Sequence, residues 1–136
     1  INLIVSSLDL FKTSQLKRAM NYLLVALGGA LGSVLRYWAG SFFLFPVGTL
    51  AVNIAGSFAM GLVYGLLSDK GLERASLLLM AGFLGGFTTF SAFSLDVVKL
   101  FTDAKVFQGF LYIFTSVLGA IFAVWIGFLL AKGVSA

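Results

Sequence analysis

Few side chains in this chain can do chemistry, and most of them sit inside long apolar runs. Asn53 offers an amide, Thr49, Thr88, Thr89, Tyr112 and Ser116 offer hydroxyls, and Arg36 offers a fixed positive charge. Phe90 and Phe93 stand beside the threonine pair, and an aromatic ring carries a positive edge. The chain has no His and no Cys. The commonest general base and the thiolate nucleophile are therefore missing, as is any disulfide or thiolate metal site. No nucleophile–base pair is visible, so an enzyme is not expected. Asp69 and Glu73 read as loop residues and Asp96 as a helix end. A proton-coupled carrier, which needs a titratable group within the membrane, would then lack its part. Hydroxyl and amide donors, free N–H groups at a helix start and ring edges favour a small anion over a cation.

The element that must position these groups is the segment from Gly85 to Ser94, GGFTTFSAFS. It lies in an uncharged run from Ala75 to Leu95 that is about long enough to cross a bilayer. Paired glycines each cost roughly 1 kcal/mol in a helix interior. Two β-branched threonines follow, whose hydroxyls compete for backbone groups. A break is expected here. Freed backbone groups at membrane depth are tolerated only where they are buried in protein or line a cavity, and such breaks mark ion or substrate sites. A glycine-rich packing face between unbroken helices is the other reading.

Three further apolar runs complete the layout. The first span is expected at about 22–44, the second at 47–67 after a turn at Pro46, and the fourth at 107–131; the third ends at Asp96. In the first, Gly28, Gly29 and Gly32 suit close helix packing. Arg36 there either snorkels to the interface beside Tyr37 and Trp38 or lines an aqueous vestibule that attracts anions. In the second, Thr49, Asn53, Gly56-Ser57 and Gly61 form one small polar stripe. Asn53 is either interhelical glue or a donor facing an ion. In the fourth, Tyr112, Thr115-Ser116 and Gly119 share a face, and the hydroxyls have the option of bonding carbonyls one turn back.

Composition agrees with an integral membrane protein. The chain of 136 residues is 60% hydrophobic and 10% charged, against about 25% charged in soluble domains; its mean hydropathy is +1.08. The net charge of +4 is scattered through short loops, with no basic patch of the kind that binds nucleic acid. Residues 1–19 read as an N-terminal extension. Leu8, Phe11 and Leu16 suggest a short amphipathic helix followed by Lys17 and Arg18; either this stretch is the processed end or tail of something longer, or Met20 is the natural start, and a single membrane domain is expected over 20–136. With four spans, Lys12, Lys17, Arg18, Lys70, Arg74 and Lys132 share one side, against Arg36, Lys99 and Lys105 on the other. From Met20 onward the count is even, so the positive-inside rule selects neither orientation. A protein that inserts either way up can form an antiparallel, dual-topology dimer, in which the broken helix would meet its own copy.

The segment Gly85–Ser94 resembles the GG-x-TTFS-x-F signature of the Fluc (CrcB-type) fluoride channels. Arg36 in a Leu-Arg-Tyr context resembles the family in the same order, as do Gly48-Thr49 with Asn53 in Val-Asn-Ile-Ala-Gly-Ser, and Tyr112 with Ser116. Residues 1–19 lie outside the resemblance. It implies an all-α membrane protein of four transmembrane helices, the third broken at its middle, forming an antiparallel homodimer with two pores. The implied role is passive export of fluoride across the cell inner (plasma) membrane. Phe90 and Phe93 would turn ring edges to fluoride, Asn53 would bond it with Thr49 and Ser91 nearby, and Tyr112 and Ser116 would form a polar track. Arg36 would lie toward the vestibule. Backbone carbonyls of Gly85 and Thr88 from both copies would hold a structural Na+ at the dimer interface.

Some positions depart from the family pattern. Ala92 stands where relatives often carry Thr, Asp96 where they often carry Glu, and Ala120 interrupts the hydroxyls of the track. Two other functions remain as alternatives. A small four-span multidrug exporter would need an acidic residue in its first helix, and residues 22–44 hold none. A non-transporting assembly subunit would explain the glycines and aromatics as packing alone.

Overall fold

Apolar sequence in runs of about twenty residues leaves the backbone one economical solution in lipid, the helix, because every peptide group is then satisfied internally. The computed structural model describes residues 2–68 and 70–135 and is helical almost throughout. Helix α1 covers Asn2–Gly40, α2 Val47–Leu67, α3 Glu73–Ser76, α4 Gly85–Phe87, α5 Phe90–Thr102 and α6 Val106–Ser135; a π-helical stretch, Leu77–Leu84, joins α3 to α4. Among the described residues, four helical units are long and apolar enough to cross a membrane: Lys12–Gly40, Val47–Leu67, Glu73–Thr102 and Val106–Val134.

Several boundaries differ from the sequence expectation. The first span ends at Gly40, and residues 41–46 form the turn into α2. The segment before Met20 is continuous with α1 rather than a separate short helix, although the side chains of Leu8 and Phe11 lie outside the described residues. Asp69 also lies outside them, and Glu73 opens α3 instead of sitting in the loop. The largest difference concerns Asp96. The third span continues six residues past it to Thr102, so Asp96 is inside a helix and 7% exposed. The apolar residues Val97, Val98, Leu100 and Phe101 carry the helix on. The ground for excluding an intramembrane carboxylate therefore falls.

Packing has two main seams. Helix α2 lies along α6, and α1 lies along the π segment and α4. The α2–α6 seam is close because glycines face backbone: a Cβ on Gly61 would strike the Val124 carbonyl, and one on Gly127 the Phe58 carbonyl. Small residues allow this approach where lipid offers no hydrophobic drive between helices. A buried cluster of Phe93, Leu100 and Tyr112 joins α5 to α6.

Candidate functional site

The break in the third span falls on Thr88-Thr89. Thr88 (φ −84°, ψ 156°) and Thr89 (φ −151°, ψ 122°) are both extended, while Gly85 and Gly86 remain helical. The glycines do different work: a Cβ on Gly86 would lie 2.9 Å from the Gly29 Cα and nearer still to its carbonyl oxygen. The threonines end one helix and begin the next. Thr88 donates from both its N–H (3.0 Å) and its hydroxyl (2.9 Å) to the Leu84 carbonyl. The Thr89 hydroxyl accepts from the Ala92 N–H at 3.2 Å, an N-cap on α5, and Thr is among the preferred residues there.

Two neighbouring helices grip the extended residues. Asn53 on α2 donates its amide N–H to the Thr89 carbonyl (2.9 Å) and accepts the Thr89 N–H on Oδ1 (2.7 Å). Its amide matches the peptide unit on both sides, which is the glue reading of Asn53. The amide nitrogen carries two hydrogens, so one remains for another acceptor. Arg36 on α1 is half-buried and reaches the break. Its Nε donates to the Gly86 carbonyl at 3.1 Å, while Tyr37 and Trp38 are exposed.

Two cavities flank the break, and Thr89 lines both. One, of about 350 Å³, is bordered by Arg36, Thr49, Ala92 and Asp96. The other, of about 320 Å³, is bordered by Asn53, Phe90, Phe93, Ser116 and Ala120. The buried carboxylate of Asp96 accepts from the Thr49 hydroxyl (2.7 Å) and the Tyr112 hydroxyl (3.3 Å), tying α2, α5 and α6 together. The rings of Phe90, Phe93 and Tyr112 follow one another at centroid distances of 5.3 Å and 5.5 Å. Phe93 is buried, whereas Phe90 is 76% exposed on the single chain.

The two hydroxyls of the fourth span part company. Thr115 bonds back to the Leu111 carbonyl at 2.7 Å. The neighbouring Ser116 Oγ is buried and has no hydrogen-bond partner among the described residues, a condition that costs about 1–3 kcal/mol. It borders the second cavity.

Of the residues singled out in the sequence, Asn53, Phe90, Phe93 and Ser116 share one cavity, and Arg36 and Thr49 share the other. Ser91 borders neither; its hydroxyl lies 3.2 Å from that of Thr89. Tyr112 is buried between α5 and α6 and held by Asp96. Gly85 and Thr88 stand where the first half-helix ends, the place where carbonyls lose their intrahelical donors. Asp96 is the site residue that sequence reasoning missed. The apolar run after it was the available signal.

A small all-helical membrane protein, with a half-helix break gripped by two other spans, is the class these features define. Residues 23–128 match the family described as CrcB-like protein, Camphor Resistance (CrcB). Relatives named fluoride-specific ion channel FluC are similar over most of their length. The chain is 50% identical over 112 residues to that of Rhizobium etli, covering 74% of this chain and 90% of the relative. It is 45% identical over 120 residues to that of Paracoccus denitrificans, covering 85% and 97%. The protein is a member of the CrcB family.

Proposed function

We propose that this chain is the subunit of a fluoride-specific channel, passing F− down its gradient and out of the cytoplasm. Membership of the CrcB family and the names of the relatives support the substrate. The observation that carries the site is the unpartnered, buried Ser116 hydroxyl beside the break. A buried hydroxyl that meets no partner in hydrogen-bonding geometry is open to a water or an ion. Fluoride is small and a strong hydrogen-bond acceptor, and it takes up a donor that a large halide would not reach in confined space. The free N–H of Asn53 supplies a second donor, and the edges of Phe90 and Phe93 a weak positive lining. Arg36 in the first cavity raises the local anion concentration, with Thr49 beside it. Ser91 and Tyr112 complete the polar surroundings of the path.

In the same reading two copies pair antiparallel in the cell inner membrane, each with its own path. Two carbonyls per chain, those of Gly85 and Thr88, then give four hard oxygen ligands around one cation. Oxygen donors at the end of a half-helix suit Na+, which there supplies a fixed positive charge and joins the copies.

The test is efflux from proteoliposomes at equal pH on both sides, read with fluoride and chloride electrodes on one preparation. Fluoride loss without chloride loss, driven by the fluoride gradient alone, is expected. Flux of both halides would leave an anion pore without the proposed selectivity. Flux of neither from a folded protein would leave the packing subunit as the better reading.

A further inference from the structure

The break is an isolated pair of extended residues, and the end of the first half-helix is closed locally only at the Leu84 carbonyl, which accepts the N–H and the hydroxyl of Thr88. Of the four carbonyls orphaned at a helix end, that of Leu84 is taken by Thr88 and those of Gly85, Gly86 and Phe87 remain, with the partial negative charge of the helix dipole. Arg36 reaches across from α1 and donates Nε–H to one of them, the Gly86 carbonyl, at 3.1 Å. Three residues further on, Asn53 takes both sides of the Thr89 peptide from α2. The two side chains thus hold the break from opposite neighbours, one on each side of Thr88. A guanidinium suits this place. Bonding through Nε leaves both Nη groups for the cavity that Arg36 borders with Asp96.

We propose that Arg36 is a positioning residue for conduction: it fixes the C-terminal end of the first half-helix, and so the extended register in which Thr89 meets Asn53. Its charge in the vestibule is a separate role. A lysine at this place keeps the charge, but its three donors radiate from one nitrogen on a flexible stem. It either bonds the carbonyl or faces the cavity, and does not hold the planar arrangement that does both. The flux arm of the test rests on the channel reading above, and the other two arms do not.

The experiment compares the unsubstituted chain with Arg36→Lys and Arg36→Met. In the unsubstituted protein in bilayers, solid-state NMR is expected to show a through-space correlation between Arg36 Nε and the Gly86 carbonyl carbon. Hydrogen exchange is expected to be at least tenfold faster across Phe87–Phe93 in both variants, with α6 unchanged. In proteoliposomes both variants are expected to lose at least tenfold in maximal fluoride flux, with the half-saturating fluoride concentration of Arg36→Lys unchanged. Absence of the correlation overturns the proposal, and this readout needs no variant to fold. Arg36→Lys with unsubstituted flux and exchange also overturns it, and leaves Arg36 a vestibule charge only. An unsubstituted chain without fluoride flux would instead sink the channel reading, while the correlation and the exchange would still decide the clamp.

Discussion

Ser116 and Thr115 are adjacent hydroxyls with opposite fates, and the difference makes a sharp test. Thr115 is satisfied within its own helix. Ser116 is buried and its Oγ meets no partner in hydrogen-bonding geometry, with the Tyr112 hydroxyl nearby, so its removal costs little and relieves a desolvated group. For Ser116→Ala the expected result is unchanged or slightly raised thermal stability, by up to about 1 kcal/mol, with fluoride flux lowered several-fold. Thr115→Ala should leave flux within twofold. Equal flux in the two variants would remove Ser116 from the path. The individual residues were only partly legible in the sequence. Asn53 was visible as a buried amide, but both of its readings stayed open until its partner was seen to be a peptide group. A backbone partner leaves no trace in side-chain pattern, and the same holds for the Gly86 carbonyl that Arg36 takes. Asp96 was misplaced because a charge was read as the end of an apolar run that in fact resumes at Val97.

At the scale of the element, the four spans and the broken third were legible from hydropathy and from the Gly-Gly…Thr-Thr sequence. The position of the break was not. Glycine's helix cost and the competing threonine hydroxyls both pointed to this segment without deciding between the two pairs, and the chain opens at Thr88-Thr89. Two local terms favour that choice. Thr89 caps α5 through Ala92, and Gly86 is held against the Gly29 backbone of α1. The π-helical turns of Leu77–Leu84 had no sequence signal at all. This division of labour predicts different responses from two glycines. Gly86→Ala places a methyl against the Gly29 backbone, whereas Gly40 has nothing within 4 Å of an added Cβ. Thermal unfolding in detergent should show Gly86→Ala destabilised by more than 2 kcal/mol, as expected for overpacking, and Gly40→Ala unchanged or slightly more stable. Equal midpoints would mean that α1 and α4 separate freely.

The whole molecule presents apolar residues outward along every span, and Phe90, at the break, is 76% exposed on one chain. Gly85 is exposed as well. In the proposed antiparallel pair these positions lie near the twofold axis at mid-membrane. The chain contains no Cys, so Gly85→Cys gives a single reporter. Oxidation is expected to yield a covalent dimer on denaturing gels, and a control such as Val124→Cys on α6 should stay monomeric. No cross-link at Gly85 would place the break away from any second copy and leave the Na+ site without half of its ligands.

The two groups that grip the break both come earlier in the chain. Arg36 belongs to the first span and Asn53 to the second, while Thr88-Thr89 belongs to the third. A chain made from its N-terminus has both partners synthesised before the broken segment. The extended residues are then received by waiting hydrogen-bond partners and never face bare hydrocarbon, where each open peptide group would cost several kcal/mol. Placing the same break in the first span would reverse that order. The sequence of spans is therefore also an order of assembly, with the receptor for the weak point synthesised first.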